Sequence, residues 1–223
     1  MSGFLNVNPR SCAGFKESDL RYWLQPDIFQ AFISGTPDVN SLRRLIQIRS
    51  GQFELRAKLT EALTLQYKPL DPEPGFSKII ESLNDANTFV ITCAHQPVVL
   101  GGPLYWWYKI LHTITLCQYL KREMPEYNFV PVYFMGNEDH DFAEISELSV
   151  FGKKLVWNRD PEGAVGRMSV ENLDALLDEL LMLFTNDSNA RDKILHWRQM
   201  AALASDYSEF FLRFVHDIFG SMG

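Results

Sequence analysis

The stretch Thr-Phe-Val-Ile-Thr-Cys-Ala-His-Gln-Pro (88–97) decides the fold together with Pro-Val-Tyr-Phe-Met-Gly-Asn-Glu-Asp-His-Asp-Phe (131–142). Each stretch is a short apolar run that ends at a cluster of polar side chains. The residues between them, from Pro103 to about Glu123, have the pattern of a helix that begins at a proline. A buried strand, a helix and a second buried strand predict a βαβ unit, in which chemistry lies at the carboxyl ends of the strands.

Helices dominate the rest of the chain. Before the βαβ unit, apolar spacing predicts a short helix over 18–32 and a long helix over 38–67, capped by Asp38 or Asn40. The segment 68–75 contains three prolines, so we predict a break and a domain boundary there. The other predicted elements are a helix over 77–84, a hairpin over 149–158, helices over 173–184 and 190–203, and a last helix that Ser205 or Asp206 caps and Gly220 ends.

These elements predict an α/β protein with a parallel sheet at its core. Two parallel strands and a hairpin are too few for a complete doubly wound sheet, and a strongly apolar last helix normally leads into another strand. We therefore expect the N-terminal part of a longer protein. Its predicted parts are a helical region over 1–75 and half of a Rossmann-like core with a helical insertion over 76–223.

Composition and charge narrow the functional classes. The chain has 223 residues, 46% of them hydrophobic and 22% charged, and a formal net charge of −7. These values are typical of a globular protein and disfavour a broad nucleic-acid or anionic-membrane surface. No signal peptide or membrane span is visible, since the most apolar stretch, 104–120, is interrupted by polar residues. Three cysteines without a CxxC spacing argue against a zinc site or a disulfide framework, so we expect a cytoplasmic protein.

The first polar cluster is Ala94-His95-Gln96-Pro97, followed by Gly101 and Gly102. His95 and Gln96 should project from the carboxyl end of the first strand, and the two glycines open a helix whose free N–H groups attract anions. A histidine at such a place can hydrogen-bond a phosphate or transfer a proton. A loop histidine satisfied by the backbone is the other interpretation. The spacing matches neither a Walker loop nor a dinucleotide fingerprint.

The second polar cluster, Asn137-Glu138-Asp139-His140-Asp141, directly follows the second strand. Four consecutive ionisable side chains need partners, solvent, a metal or a bound amine to relieve their repulsion. In an extended chain Asp139 and Asp141 point one way and Glu138 and His140 the other. Such pairs can hold a metal or a substrate ammonium group, and a solvated acidic loop is the alternative.

The two clusters should meet in one pocket. A right-handed crossover places the carboxyl ends of neighbouring parallel strands at the same edge of the sheet. Two residues of the joining helix lie close to its start. Tyr105 belongs to an aromatic run, 105–108, that favours core packing. Lys109 either reaches a phosphate or extends along the surface.

At these clusters the sequence resembles the cysteine ligases of bacillithiol biosynthesis, the BshC family. Ala94 and Val98 depart from the pattern, since the family usually has glycine at both places. The matching residues are His95-Gln96-Pro97, Gly102-Pro103-Leu104-Tyr105, Lys109, Val130-Pro131-Val132-Tyr133-Phe134, and Glu138-Asp139-His140-Asp141-Phe142 with Glu144-Ile145.

The resemblance implies a Rossmann-like core similar to that of class I aminoacyl-tRNA synthetases, and a coiled-coil arm that makes the full-length protein a homodimer. It implies a ligase that joins L-cysteine to the amine of glucosaminyl-malate, with ATP as the possible co-substrate. No metal ligand is assigned. Catalytic roles then fall to His95, Asp139, His140 and Asp141, and substrate or nucleotide binding to Gln96, Gly101, Gly102, Tyr105, Lys109, Asn137 and Glu138.

Two other functions are compatible with the same residues. The acidic run from Glu138 to Asp141 could serve a metal-dependent hydrolase. The chain could also be a binding module without activity of its own. We expect small-molecule substrates, and neither a nucleic acid nor a membrane, as partners.

Overall fold

The computed structural model describes residues 8–12, 14–36, 38–51, 54–70 and 74–222. The chain forms two compact units, 1–54 and 55–223. This division falls earlier than the boundary predicted at 75, because the two helices that follow residue 54 pack with the second unit. In that unit the Arg56 guanidinium donates to the carbonyl oxygens of Leu83 and Thr88, at 2.8 and 3.0 Å.

The first unit contains α1 (Glu17–Leu24), a 3-10 helix (Pro26–Phe29) and α2 (Val39–Arg49). The predicted helix over 18–32 stops at Leu24 because proline follows two residues later. Asp38 caps α2 as predicted, and its carboxylate accepts from the Ser41 N–H at 2.9 Å. The single long helix predicted over 38–67 is wrong, since Gly51 takes a left-handed φ of 100° that a helix does not permit.

The second unit is built on the predicted βαβ arrangement. β1 (Thr88–His95) and β2 (Asn128–Met135) pair in parallel, in a register that runs from Thr88 opposite Asn128 to His95 opposite Met135. α5 (Leu104–Glu123) joins them and packs on both strands. The predicted α/β class with a parallel Rossmann-like core is therefore confirmed.

Helices and one hairpin surround this sheet. α3 (Arg56–Tyr67) and α4 (Pro74–Ser82) precede it, and α4 begins within the segment predicted to be non-helical. Proline costs nothing at the first position of a helix, which explains that error. The remaining elements are α6 (Phe142–Ile145), β3 (Glu147–Val150) antiparallel to β4 (Lys153–Val156), α7 (Leu173–Leu183), α8 (Ser188–Leu203) and α9 (Tyr207–Phe219).

An aromatic core lies between α5, β4 and α9. Its fully buried members are Trp106, Trp157, Tyr207, Phe210, Phe211 and Phe214. α5 buries Trp106 in this core, whereas Tyr105 and Tyr108 are exposed, so the core packing predicted for the run 105–108 holds only in part. None of the described helices combines the length and the apolarity that a membrane crossing requires.

Glu209 should make the stability of the second unit depend on pH. Hydrogen bonds from the Ser205 N–H and then from Arg213 lower the pKa of Glu209 to about 2, from an ordinary 4.5. A lowered folded-state pKa stabilises the fold above the unfolded pKa, and this stability is lost as pH falls from about 4.5 to about 2. Because the side chain is partly exposed, we expect Glu209→Gln to cost only about 1–2 kcal/mol at pH 7 and nearly nothing at pH 2.

Urea unfolding of the wild type and the variant across this pH range measures the difference. The same substitution at the exposed Glu162 is the control, and it should change the free energy of unfolding by no more than about 0.5 kcal/mol. A Glu209→Gln cost that does not change between pH 7 and pH 2 would contradict the assignment.

Candidate functional site

The loop between β1 and α5 is shaped by close packing. Gly101 has a φ of 84°, and a Cβ there would lie 2.6 Å from the Trp107 ring. The N–H of Gly101 donates to the Val98 carbonyl at 3.4 Å, and that of Gly102 donates to Val99 at 2.8 Å. Both glycine amides are thus used within the loop, and anion binding by the free N–H groups of the following helix stays a prediction.

His95 is held by two hydrogen bonds at the carboxyl end of β1. Its Nδ1 lies 2.9 Å from the Gln96 carbonyl oxygen, and its Nε2 lies 3.0 Å from the Tyr105 hydroxyl. A carbonyl oxygen only accepts, so Nδ1 carries the proton and Nε2 of the neutral ring accepts from Tyr105. Desolvation, followed by the nearby Glu144 carboxylate, raises the pKa of Tyr105. Tyr105 therefore remains a donor at neutral pH.

Glu144 joins the two predicted clusters. It lies in α6, which the carboxylate of Asp141 caps by accepting from the Glu144 N–H at 3.1 Å. One Glu144 oxygen accepts from Gln96 Nε2 at 2.7 Å, and the other lies 4.0 Å from His95 Nε2. The predicted meeting of the strand ends is thus made through Glu144, to which the sequence assigned no role.

Tyr133 braces the site from β2. Its hydroxyl donates to the His95 carbonyl oxygen at 2.8 Å and accepts from the Trp106 indole N–H at 3.0 Å. The chain of contacts runs from the buried core through Trp106 and Tyr133 to the backbone of His95. The packed core therefore helps to fix the position of the His95 backbone, from which the imidazole projects.

The acidic run forms a turn. The Asp139 carboxylate accepts from the N–H groups of His140 and Asp141, at 2.7 and 3.2 Å. The run is therefore not extended, and the alternation that an extended chain would give its side chains does not apply. Glu138, Asp139, His140 and Asp141 are all exposed.

The acidic turn gives little support to the metal-dependent hydrolase. One carboxylate oxygen of Asp139 and one of Asp141 already accept backbone N–H groups. Within the part of the chain that the structure describes, no three His, Cys, Asp or Glu side chains are grouped so as to hold a metal ion.

Lys109 and Asn137 occupy different surroundings. The Lys109 ammonium lies 5.5 Å from the centre of the Tyr105 ring. It therefore places a positive charge near the tyrosine that is hydrogen-bonded to His95. The backbone carbonyl oxygen of Asn137 accepts from the Gly166 N–H at 3.0 Å, which holds the loop that contains Gly166 against the end of β2. Asn137 also lines a cavity of about 500 Å³ along β2, which no other candidate residue borders. A cavity of this size suits a small ligand.

Comparisons with known proteins show the family of this domain. The family model "Bacillithiol biosynthesis BshC, N-terminal Rossmann-like domain" matches residues 19–223. The chain belongs to the BshC family. Its relatives include proteins named "Putative cysteine ligase BshC" from Flavobacterium psychrophilum, 44% identical over 140 residues, and Flavobacterium johnsoniae, 40% identical over 156 residues. Another relative, from Christiangramia forsetii, is 34% identical over 189 residues.

The chain spans only part of these BshC relatives. The aligned segments cover 61%, 69% and 79% of this chain but 26%, 30% and 34% of the respective relatives. The recognised family and its Rossmann-like core are thus confirmed for the N-terminal domain. The resemblance also contained the signal for the two residues that we missed, since Tyr133 and Glu144 lie within the matching BshC motifs.

Two tyrosine-to-phenylalanine substitutions in this BshC domain should differ in their effect on the free energy of unfolding, because one removes a hydrogen-bonded hydroxyl and the other does not. Tyr133→Phe leaves the buried Trp106 N–H without its acceptor, whereas the His95 carbonyl oxygen still accepts from the Gly136 N–H at 3.1 Å. We therefore expect a loss of about 1–3 kcal/mol in the free energy of unfolding. The Tyr207 hydroxyl is buried without a partner among the described residues. Tyr207→Phe should therefore cost nothing and could stabilise by about 1 kcal/mol. Equal losses in both variants, measured by urea unfolding, would contradict this distinction.

Proposed function

We propose that the protein encoded with this chain is a ligase that joins L-cysteine to the amine of glucosaminyl-malate, the last step of bacillithiol biosynthesis. The observation that carries the proposal is the group formed by His95, Gln96, Tyr105 and Glu144, held at the carboxyl end of β1 in a BshC-family domain. The names of the relatives support a cysteine ligase.

The reaction needs a proton acceptor. The amine nitrogen attacks the carbonyl carbon of an activated cysteine, the new C–N bond forms, and the bond from that carbon to its leaving group breaks. The amine must release a proton as this happens. His95 Nε2 is the acceptor in its neutral form, and Tyr105 is the group that it contacts there. Glu144 lies close enough to stabilise the imidazolium that results.

The other groups have supporting roles in this proposal. ATP is the proposed source of the activated carboxylate, and Lys109 is the cation near His95 that suits its phosphates. The exposed carboxylates of Glu138, Asp139 and Asp141, next to His140, give the outer edge of the site a negative charge that attracts an ammonium group. We place this reaction in the cytoplasm and propose a homodimer formed by the coiled-coil arm.

The direct test is reconstitution. The protein product of the complete encoding gene is purified and incubated with ATP, L-cysteine and glucosaminyl-malate. The thiol products are then separated by chromatography and identified by mass spectrometry. We expect bacillithiol, dependent on all three compounds. No product in any combination, from folded protein, would contradict the proposal.

A further inference from the structure

Gln96 has a side-chain amide whose orientation is fixed. The residue is 7% exposed, and its Nε2 donates to the Glu144 carboxylate at 2.7 Å. A carboxylate can only accept, so the amide nitrogen must face Glu144 and the amide oxygen must face elsewhere. Glu144 therefore determines that the oxygen of the Gln96 amide, and not its nitrogen, faces the other side.

The freed oxygen is a buried acceptor. Gln96 Oε1 has no hydrogen-bond partner among the described residues. A second such oxygen, Asn137 Oδ1, follows the adjacent strand. The two residues succeed paired strand ends, and a Cβ on Gly136 would lie 3.7 Å from the Gln96 Cα. A buried acceptor without a partner lowers the stability of a folded protein, so each oxygen would be stabilised by a hydrogen-bond donor from a ligand or from water.

These atoms select the chemistry of the ligand. Phosphate oxygens at neutral pH accept hydrogen bonds, so they gain nothing from a carbonyl oxygen, and the N–H groups of Gly101 and Gly102 are already used. An ammonium group carries three donors, which suits the Gln96 amide oxygen beside the Glu144 carboxylate. The resemblance implied substrate or nucleotide binding for Gln96, and this geometry favours an amine over a phosphate.

We propose that Gln96 Oε1 accepts a hydrogen bond from the amine substrate, and that Glu144 is the positioning residue that orients it. The inference rests on the proposed ligase for the identity of that amine, glucosaminyl-malate.

The test compares steady-state kinetics of Glu144→Gln with the wild type, using the product of the complete gene. A glutamine at 144 can donate to Gln96 Oε1 or let the amide turn over, and either change withdraws the oxygen from the substrate. We expect KM for glucosaminyl-malate to rise about tenfold or more, the effect of one hydrogen bond to a charged donor. KM for ATP and for cysteine should stay within about twofold, since neither contacts this oxygen.

A matched control separates positioning from a general loss of structure. Glu147→Gln makes the same change at an exposed residue of β3 whose carboxylate pairs with Lys154 at 2.5 Å. It should leave every KM unchanged. Gln96→Leu should reproduce the rise in KM for glucosaminyl-malate, and the double variant should add nothing further, because both substitutions remove one contact.

The outcomes distinguish this inference from the proposed function. Product formation with an unchanged KM for glucosaminyl-malate in Glu144→Gln overturns the inference alone, as does an equal rise in KM for ATP. If the wild type forms no product, the proposed function fails, and calorimetry with glucosaminyl-malate decides the inference by itself. Weaker binding to Glu144→Gln than to the wild type then supports the amine contact. Equal affinity, or no binding to either protein, overturns it.

Discussion

Replacing Trp106 by alanine is expected to lower the free energy of unfolding by about 3–5 kcal/mol. The indole is fully buried, and its ring centre lies 5.7, 6.3 and 5.8 Å from those of Phe211, Phe214 and Phe219. The substitution removes this aromatic packing and opens a cavity between α5 and α9. It also removes the N–H that donates to the Tyr133 hydroxyl, whereas the bond from that hydroxyl to the His95 carbonyl does not involve the indole.

Chemical denaturation followed by circular dichroism measures this loss. Trp23→Ala is the control, since Trp23 lies in the first unit and is 51% exposed. An exposed substitution of this kind usually changes stability by no more than about 0.5 kcal/mol. A loss from Trp106→Ala as small as that of the control would show that the aromatic core does not hold the second unit together.

Replacing His95 by alanine is expected to lower the rate of product formation by about 100- to 10,000-fold, with little change in stability. The variant removes the imidazole that we propose as the proton acceptor, while Tyr133 still holds the backbone carbonyl of residue 95. The expected fall in kcat is therefore a chemical effect.

The reconstituted ligase assay, run beside a melting curve, measures both quantities. His112→Ala is the matched control, because His112 is an exposed histidine on α5. It should retain the rate of the wild type. A His95→Ala variant with a wild-type rate would remove His95 from the reaction, whatever its effect on substrate binding.

Local patterns in the sequence were sufficient for the central βαβ unit. The two apolar runs and the proline-initiated helix predicted β1, α5 and β2 to within a few residues. They succeeded because each buried strand is a short apolar run and the helix between them has a proline at its start and a long, largely apolar sequence. The long helix over 38–67 failed, since one left-handed glycine at 51 outweighed the helical spacing on both sides.

The candidate site was only partly predictable. Patterns placed His95, Gln96 and Asp141 at the strand ends, and the structure brings them to one region. They could not show that Asp139 would turn back on its own backbone, because that depends on the turn after β2. Nor could they show that Glu144 would reach Gln96 across 48 residues of sequence, since α6 and β1 meet only in the folded chain. Hydrogen-bond partners over such separations come from the tertiary structure.

The central claim is that this domain serves the ligase step of bacillithiol biosynthesis through His95. The most direct measurement is the cellular content of bacillithiol and glucosaminyl-malate in the source organism after deletion of the encoding gene. The deletion strain then receives the wild-type gene, His95→Ala or His112→Ala. We predict loss of bacillithiol with accumulation of glucosaminyl-malate in the deletion strain and with His95→Ala, and normal levels with the other two genes. Normal bacillithiol in the deletion strain, or full restoration by His95→Ala, would contradict the account.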